Sequence, residues 1–204
     1  MFDAIQPTPL PLTIPGCCLW LDATDTSTIT LASNKVSSWR DKSTNAFAFN
    51  QITDGNRPIY TTVSQNSKPT LTFTATNSNF LKGPANFSIG LSSYSLFAVC
   101  NVTVGNNVSC SIFNKSLYGG AVGRIIMVQT QINYIHPGDV ALVPVAITYP
   151  VGQYRIFELI VNRTEQIDYS YQNGTLLTSS SIIDSTNYTN NNLNMLVGAY
   201  NDAS

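Results

Sequence analysis

The sequence has little charge and lacks any long hydrophobic run. Of its 204 residues only 10% are Asp, Glu, Lys or Arg, and the formal net charge is −1. The few lysines and arginines are scattered, which argues against nucleic-acid binding, because phosphate neutralisation needs clustered cations. No apolar run approaches the ~20 residues of a membrane-spanning helix. We therefore expect neither a nucleic-acid partner nor a membrane span.

Signatures of catalysis and of metal binding are missing as well. The single histidine, His136, falls in a predicted turn, and no G-x-S-x-G nucleophile motif accompanies it. Retaining glycosidases need two carboxyl groups about 5–5.5 Å apart, but the spacing of Glu165 and Asp168 places them on opposite faces of a strand. No C-x-x-C pair suggests a zinc site. We expect no enzyme activity, no cofactor and no metal.

Three aspartates in predicted turns, Asp22, Asp25 and Asp41, allow two interpretations. Calcium needs several oxygen ligands, and these carboxylates would contribute some of them. Aspartate in a turn also accepts a hydrogen bond from the backbone two residues on, which closes an Asx-turn. The Asx-turn interpretation is favoured.

The four cysteines, Cys17, Cys18, Cys100 and Cys110, also leave two interpretations open. Free cysteine behaves as a small apolar residue and is commonly buried. Alternatively, a hairpin that turns near Gly105 would place Cys100 opposite Cys110 for a disulfide bridge. Buried thiols are favoured.

Strand-forming segments dominate the rest of the chain. Hydrophobic residues make up 43% of it, and turn formers interrupt it at about the 8–12-residue spacing of a sandwich or barrel. This pattern predicts an all-β fold of two packed antiparallel sheets with little helix. The predicted strands cover residues 18–22, 35–39, 58–63, 70–74, 94–104, 108–113, 124–132, 140–149, 155–162, 167–172, 175–178 and 194–200.

Alternation within the strands predicts which side chains face the core. Segment 94–104 is apolar in both phases, which predicts a central strand covered on both sides. Segment 167–172 alternates tyrosines with polar residues, so one face is expected to be wet. The predicted core anchors are the large aromatic residues Trp20, Trp39, Phe73, Phe97 and Phe157.

Asn173-Gly174 is the strongest turn signal in the sequence. Both residues tolerate the positive φ angles of a type I′ turn. We expect a hairpin there, between segments 167–172 and 175–178.

Six short motifs occur in a fixed order: Leu-Trp-Leu-Asp-Ala at 19–23, Trp-Arg-Asp-Lys-Ser at 39–43, Arg-Pro at 57–58, Pro-Thr-Leu-Thr-Phe at 69–73, Tyr-Gln-Asn-Gly at 171–174 and Leu-Val-Gly-Ala-Tyr at 196–200. In this order they resemble the concanavalin A-like lectin/glucanase superfamily, specifically its laminin-G-like jelly rolls. The resemblance covers roughly residues 17–204 and implies an antiparallel jelly-roll β-sandwich. Similar modules occur in extracellular adhesion proteins and in structural proteins of phages and large DNA viruses.

The resemblance also implies a further strand after 196–200, which in the family pairs near the first strand. The sequence given ends at Ser204, so we expect that strand to be missing here, or to come from residues beyond Ser204 or from a partner. A sheet edge left open beside segment 18–22 would be a pairing site.

The domain prediction is an extended proline-rich arm at 1–15 followed by one β-sandwich at 16–204. Prolines at 7, 9, 11 and 15 exclude a helix or a central strand in the arm. The arm has no basic stretch before an apolar one, so it does not resemble a signal peptide.

These features favour a non-catalytic structural or interaction module of a larger assembly, such as a minor capsid or surface protein of a virion, with other protein subunits as partners. The alternative is a carbohydrate-binding attachment module, in an extracellular or cell-surface setting. Its site would combine aromatic platforms with an amide, and the candidates are Tyr169, Tyr171, Tyr188 and Asn173.

Overall fold

The structure is a computed structural model that describes residues 11–88, 92–101, 110–114, 124–128, 132–134, 143–145, 152–181 and 194–198. Its strands are β1 (Ile29–Ala32), β2 (Lys35–Arg40), β3 (Ala48–Asn50), β4 (Ile59–Thr61), β5 (Thr70–Thr72), β6 (Leu81–Lys82), β7 (Tyr94–Asn101), β8 (Cys110–Asn114), β9 (Arg124–Val128), β10 (Ile132–Tyr134), β11 (Val143–Val145), β12 (Tyr154–Asn162), β13 (Ile167–Gln172), β14 (Thr175–Ser181) and β15 (Leu196–Val197). Short 3-10 turns occupy Pro11–Thr13, Thr26–Thr28, Asp54–Asn56, Gln65–Ser67 and Ala75–Asn77. Within these ranges no helix is long and apolar enough to cross a membrane.

The fifteen strands that the structure describes form two sheets of unequal size. The large sheet has eleven strands in the order β11-β10-β9-β8-β15-β6-β3-β2-β4-β5, with β1 paired to β2. The small sheet has four strands in the order β14-β13-β12-β7. The pairs with a described register are antiparallel in both sheets. The predicted antiparallel all-β sandwich is confirmed.

The core lies between the two sheets. On β12 the inward phase is Phe157, Leu159 and Val161, all fully buried, as the period of two along a strand requires. The large sheet supplies the opposing side chains to the same cluster, among them Val36, Trp39, Phe49, Leu81 and Phe113.

Two of the five predicted core anchors are buried. Phe157 is 0% exposed and Trp39 is also buried, so both predictions are confirmed. Trp20 and Phe73 are only half-buried. Phe97 is 63% exposed, so its prediction is wrong. Phe97 lies in the phase of β7 that points away from the core, whereas its neighbour Leu96 packs against the core cluster.

In the part of the chain that the structure describes, β7 lies at an edge of the small sheet, whereas its sequence predicts a central strand. Among the described strands it pairs with β12 alone. Its exposed and half-buried residues alternate without a break from Tyr94 to Cys100, so one face meets the core and the other does not. The prediction of a strand covered on both sides is therefore wrong.

Segment 18–22 is not a strand, although its composition predicts one. Instead the backbone of Trp20 is fixed to the loop after β2: its N–H donates to Asp41 Oδ1 at 2.6 Å, and its carbonyl accepts from Lys42 N at 2.9 Å. The Ser43 hydroxyl donates to the carbonyl of Cys18 at 3.1 Å. The open sheet edge expected beside this segment is consequently not formed by it.

The cysteines follow the buried-thiol interpretation only in part at the positions that the structure describes. Cys18 is exposed, so the buried-thiol prediction is wrong for it. Cys17 and Cys100 are partly buried, and Cys100 packs against the core cluster. Cys17 and Cys18 lie in the irregular segment outside the sheets. Cys100 and Cys110 lie on strands of different sheets, so they are not cross-strand neighbours in one sheet.

The predicted arm is described only in part. Pro11–Thr13 forms a 3-10 turn and is not extended, and Leu12 and Ile14 are exposed. Residues 1–10 lie outside the described residues, so the arm's role stays a prediction.

We predict that Gly198→Ala destabilises the fold far more than Gly174→Ala. Both glycines have positive φ, +86° and +75°, which costs an alanine about 1–2 kcal/mol. At Gly198 the added methyl would also overlap the Phe73 ring, whereas no atom lies within 4 Å of it at Gly174. Overpacking of this kind adds about 1–3 kcal/mol. Urea denaturation of the two variants measures the difference, and equal losses would contradict this packing.

Candidate functional site

The candidate site is the face of the small sheet that points away from the core, called here the outer face. Because Phe157 and Leu159 of β12 point inward, their neighbours Ile156, Glu158 and Ile160 point outward. A similar alternation holds on β7 and on most of β13. On β14, Leu177 packs against the core cluster, whereas its neighbour Leu176 is exposed.

Strand register places large side chains of the outer face side by side. Glu158 lies opposite Phe97 of β7 on one side and opposite Tyr171 of β13 on the other. Tyr171 in turn lies opposite Leu176 of β14. Directly opposite residues have Cβ atoms about 4.5–5.5 Å apart. One row of the face therefore reads Leu176, Tyr171, Glu158 and Phe97.

The outer face is strongly apolar for an exposed surface. Phe97 and Val99 on β7 are 63% and 69% exposed, Ile156 on β12 is 43% exposed, and Leu176 on β14 is 50% exposed. Ile156 lies opposite Val99, so these side chains continue the row next to it. Contiguous exposed apolar residues of this kind mark interaction surfaces more often than isolated ones do.

Glu158 is the one charged side chain among the outward-facing residues described on β7, β12, β13 and β14. Its Oε1 accepts a hydrogen bond from the backbone N–H of Gly174 at 3.1 Å. The carboxylate thus holds the hairpin between β13 and β14 against β12.

Two of the four residues predicted for sugar binding share the outer face. Tyr169 and Tyr171 are half-buried there, and Tyr169 lies opposite Ile160. Tyr188 lies outside the described residues. Carbohydrate binding by these residues stays a prediction.

Asn173 shapes the turn between β13 and β14. The expected Asn-Gly hairpin is confirmed, with φ of 49° at Asn173 and 75° at Gly174. The Asn173 side-chain oxygen accepts from Ile156 N at 2.9 Å, and its own N–H donates to the Ile156 carbonyl at 2.9 Å. Its amide oxygen is therefore already engaged with β12.

The outward phase of β13 is the one that carries Tyr169 and Tyr171, whereas the polar phase points inward. Asp168 and Ser170 are buried, and Arg163 in the preceding turn is buried too. Glu165 is exposed in that same turn and does not lie on the strand. Asp168 and Glu158 thus lie on opposite faces of the small sheet and do not form a catalytic carboxylate pair.

The apolar surface residues Phe97, Val99, Ile156 and Leu176 are the ones that sequence reasoning missed. Both phases of β7 and of β12 are largely apolar, so alternation does not separate a core-facing phase from an exposed one. β13 contains a weak signal for the outward phase, because both of its tyrosines, Tyr169 and Tyr171, lie in that phase.

The three turn aspartates act as the favoured interpretation predicts. Asp22 Oδ1 accepts from Thr24 N at 2.9 Å, and Asp41 Oδ1 accepts from Ser43 N at 2.9 Å. Asp25 closes a similar turn onto the backbone N–H of the second residue after it, at 3.2 Å. Their Asx-turns are confirmed. In the described part of the chain no three His, Cys, Asp or Glu side chains are grouped as metal ligands would be.

Lys42 joins the first two sequence motifs. Its Nζ lies 3.0 Å from Asp22 Oδ2, 2.9 Å from Asp25 Oδ2 and 4.0 Å from the centroid of the Trp20 ring. Partial burial raises the pKa of Asp22, but hydrogen bonds from Thr24 and Lys42 outweigh it and hold that pKa below its ordinary value. Hydrogen bonds from Ser27 and Lys42 lower the pKa of Asp25.

We predict that acid weakens this cluster. A carboxyl group whose pKa is lower in the folded than in the unfolded chain stabilises the fold above its unfolded pKa of about 3.9, and that stabilisation is lost as the pH falls through the folded value. Thermal melts between pH 7 and pH 2 should therefore show a smaller acid-induced loss in Lys42→Met than in the unchanged chain. Lys68→Met, which removes an exposed lysine elsewhere, should keep the full loss. An unchanged profile in Lys42→Met would contradict the cluster's role.

Comparison with solved structures shows which fold this chain shares with known proteins. The chain is similar to the binding domain of Paraclostridial Mosquitocidal Protein 1, with a TM-score of 0.50, 16% identity, and coverage of 85% of this chain and 44% of that one. It is also similar to Trypanosoma rangeli sialidase, solved in complex with a difluoro-KDN, with a TM-score of 0.50, 10% identity, and coverage of 89% and 28%. The chain spans less than half the length of either structure.

The chain is a jelly-roll β-sandwich. At these identities the likeness shows the fold alone and carries no activity or ligand to this chain. No protein-family model and no curated protein matches the sequence. The concanavalin A-like motifs therefore remain a resemblance, and the β-sandwich is what the comparisons support.

Proposed function

We propose that this jelly roll is a non-catalytic module of a larger assembly and that it binds another protein subunit with its outer face. The observation that carries the proposal is the group of exposed apolar side chains on that face. Its members, Phe97, Val99, Ile156 and Leu176, are 43–69% exposed. Leaving such side chains in water forgoes roughly 25 cal/mol for each Å² that a partner would cover.

The chemistry of the face favours a protein partner over a sugar. A sugar site needs free polar groups beside its aromatic platform. Here the Glu158 carboxylate accepts from Gly174 N, and the Asn173 amide oxygen accepts from Ile156 N. The side chains opposite Glu158 are Phe97 and Tyr171, and the neighbour of Asn173 on β12 is Ile156, so the surroundings of both polar groups are mostly apolar. Protein interfaces, in contrast, have apolar and aromatic centres with few charges.

The same geometry supports a non-catalytic role. A glycosidase of the retaining kind needs two carboxyl groups on one surface. Glu158 faces outward and serves a turn, whereas Asp168 is buried on the inner face.

The test compares two double variants of matched chemistry. Ile156→Ser with Leu176→Ser removes apolar side chains from the outer face, and Ile52→Ser with Val63→Ser removes more exposed ones (89% and 70%) from loops elsewhere. The assembly to examine first is a virion particle, because the sequence motifs resemble those of phage and viral structural proteins. Each variant is produced in place of the unchanged chain, and its share in assembled particles is measured by density-gradient sedimentation.

We expect the outer-face variant to remain in the low-mass fractions, while the control variant sediments with particles as the unchanged chain does. Both variants must show the melting temperature of the unchanged chain within a few degrees. Equal incorporation of the two variants would overturn the proposal.

A carbohydrate-binding role is the second candidate, and the pair of half-buried tyrosines on the outer face favours it. Tyr169 and Tyr171 share one phase of β13 and would offer stacking surfaces to a sugar ring. A glycan array is its direct test: the candidate requires at least one bound glycan and loss of that signal in Tyr171→Ala.

A further inference from the structure

The turn between β13 and β14 is chemically labile, because it contains the single Asn-Gly pair of the sequence, Asn173-Gly174. Asparagine is thermolabile, and glycine after it offers the least hindrance to attack on its amide. In this reaction the backbone nitrogen of Gly174 bonds to Cγ of Asn173 and loses its proton, and the side-chain nitrogen leaves as ammonia. Water then opens the succinimide ring at either carbonyl and leaves aspartate or isoaspartate. Both residues are exposed, so water reaches the turn.

Strand β12 runs past the end of β13 and lies beside this turn. The last cross-strand pair of the two strands is Phe157 with Gln172, and β12 begins at Tyr154. The turn residues that follow Gln172 therefore meet the first part of β12.

Three hydrogen bonds join the turn to β12 and engage the groups that would react. Asn173 N donates to the Ile156 carbonyl at 2.9 Å, and Ile156 N donates to the Asn173 side-chain oxygen at 2.9 Å. Gly174 N donates to Glu158 Oε1 at 3.1 Å. The attacking nitrogen and the amide under attack are thus both bound to β12.

Ring closure requires these bonds to break. In the succinimide, Cγ of Asn173 occupies the position that the proton holds on Gly174 N. In the structure that proton points at Glu158 Oε1, on the neighbouring strand. The peptide unit must therefore rotate away from Glu158 before the bond to Cγ can form. The reaction proceeds only from the fraction of molecules in which the turn has opened locally.

We propose that β12, through the Glu158 carboxylate and the Ile156 backbone, protects Asn173 from deamidation, and that the turn becomes a modification site when these hydrogen bonds break. Conversion places a second negative charge close to Glu158 at the border of the outer face. Isoaspartate also lengthens the backbone of a two-residue turn whose geometry joins β13 to β14. The inference does not depend on what binds the outer face.

The test is the rate at which residue 173 gains the mass of an acid in the purified full chain, at constant temperature and mildly alkaline pH, measured by peptide mapping. Three variants are compared with the unchanged chain. Glu158→Ala removes the acceptor, whereas Glu158→Gln keeps an acceptor oxygen. Glu165→Ala removes an exposed carboxylate from the turn between β12 and β13.

We expect Glu158→Ala to convert about fivefold faster than the unchanged chain, which corresponds to about 1 kcal/mol, the usual contribution of one hydrogen bond. Glu158→Gln and Glu165→Ala should convert at close to the rate of the unchanged chain. A synthetic peptide of residues 169–177 has no β12 beside it and should convert fastest of all.

Two controls separate loss of these hydrogen bonds from unfolding. Amide hydrogen exchange at 157–161 should be the same in all variants, because these residues lie deeper in the small sheet. Asn77, exposed before Ser78 in another turn, should convert at one rate in every sample.

Three results would overturn the proposal. Equal rates in the unchanged chain and in the peptide would show that β12 gives no protection. A slower rate in Glu158→Ala would mean that the carboxylate takes the Gly174 proton and assists the reaction. An equal increase in Glu165→Ala would assign the effect to net charge and not to the hydrogen bond.

Discussion

Replacing Phe157 with alanine lowers the free energy of unfolding by about 3–5 kcal/mol, whereas the same replacement of Phe97 changes it by less than about 0.5 kcal/mol. Phe157 is 0% exposed at the centre of the core cluster, so the variant loses apolar burial and leaves a cavity. Phe97 is 63% exposed one strand away, on the opposite face. Urea denaturation of the two variants, under conditions where the chain is monomeric, measures both values.

This pair is a matched control for the orientation of the small sheet. The two residues are chemically identical and lie on neighbouring strands. A loss of several kcal/mol in Phe97→Ala would mean that the outer face is covered in the folded chain. The candidate site would then be part of the core.

The second large effect is expected at Asp41, which is buried and accepts hydrogen bonds from the backbone N–H groups of Trp20 and Ser43. Asp41→Ala leaves both donors without this acceptor. Each unsatisfied buried group costs about 1–3 kcal/mol, so we expect a loss of about 2–4 kcal/mol. Asp41→Asn keeps a carbonyl oxygen and should lose less.

Asp54→Ala is the control for this prediction. Asp54 also forms charged contacts, with Lys35 Nζ at 2.6 Å and with Arg57 at 3.2 Å, but it is exposed. Exposed ion pairs contribute little to the free energy of unfolding. Thermal melts should therefore show a far smaller decrease in melting temperature for Asp54→Ala than for Asp41→Ala. Similar shifts in the two variants would mean that the segment around Trp20 is not fixed by Asp41.

The sequence predicts most of the small sheet correctly because its strands are regular and its turn is specific. Segments 155–162 and 167–172 match β12 and β13 within one residue at each end, and the Asn173-Gly174 turn joins β13 to β14 as expected. Asparagine and glycine accept positive φ, which few other residues do. These features depend on residues that are adjacent in the chain, so they can be predicted from a single sequence.

The candidate site could not be predicted in the same way. Strand β7 is apolar in both phases, and a strand buried on both faces has the same pattern as an edge strand with an exposed apolar surface. The polar residues of β13 suggest a solvent-exposed phase, but Asp168 and Ser170 in that phase are buried. Which face meets the core depends on the large sheet, which is remote in sequence.

The segment around Trp20 illustrates a second limit. Its apolar residues predict a strand, but its backbone groups are bound by Asp41 and Lys42. These partners lie about twenty residues away and are side-chain and loop groups. Strand propensity describes the segment itself and takes no account of such contacts.

Hydroxyl-radical footprinting of the chain, alone and within the proposed assembly, tests the role of the outer face most directly, because side-chain oxidation reports solvent exposure. If a partner subunit covers the outer face, Ile156 and Leu176 are oxidised in the isolated chain and protected in the assembly. Ile52 and Val63, exposed elsewhere, should be oxidised equally in both states. Unchanged oxidation of Ile156 and Leu176 in the assembled state would contradict the assignment of the outer face as the binding surface.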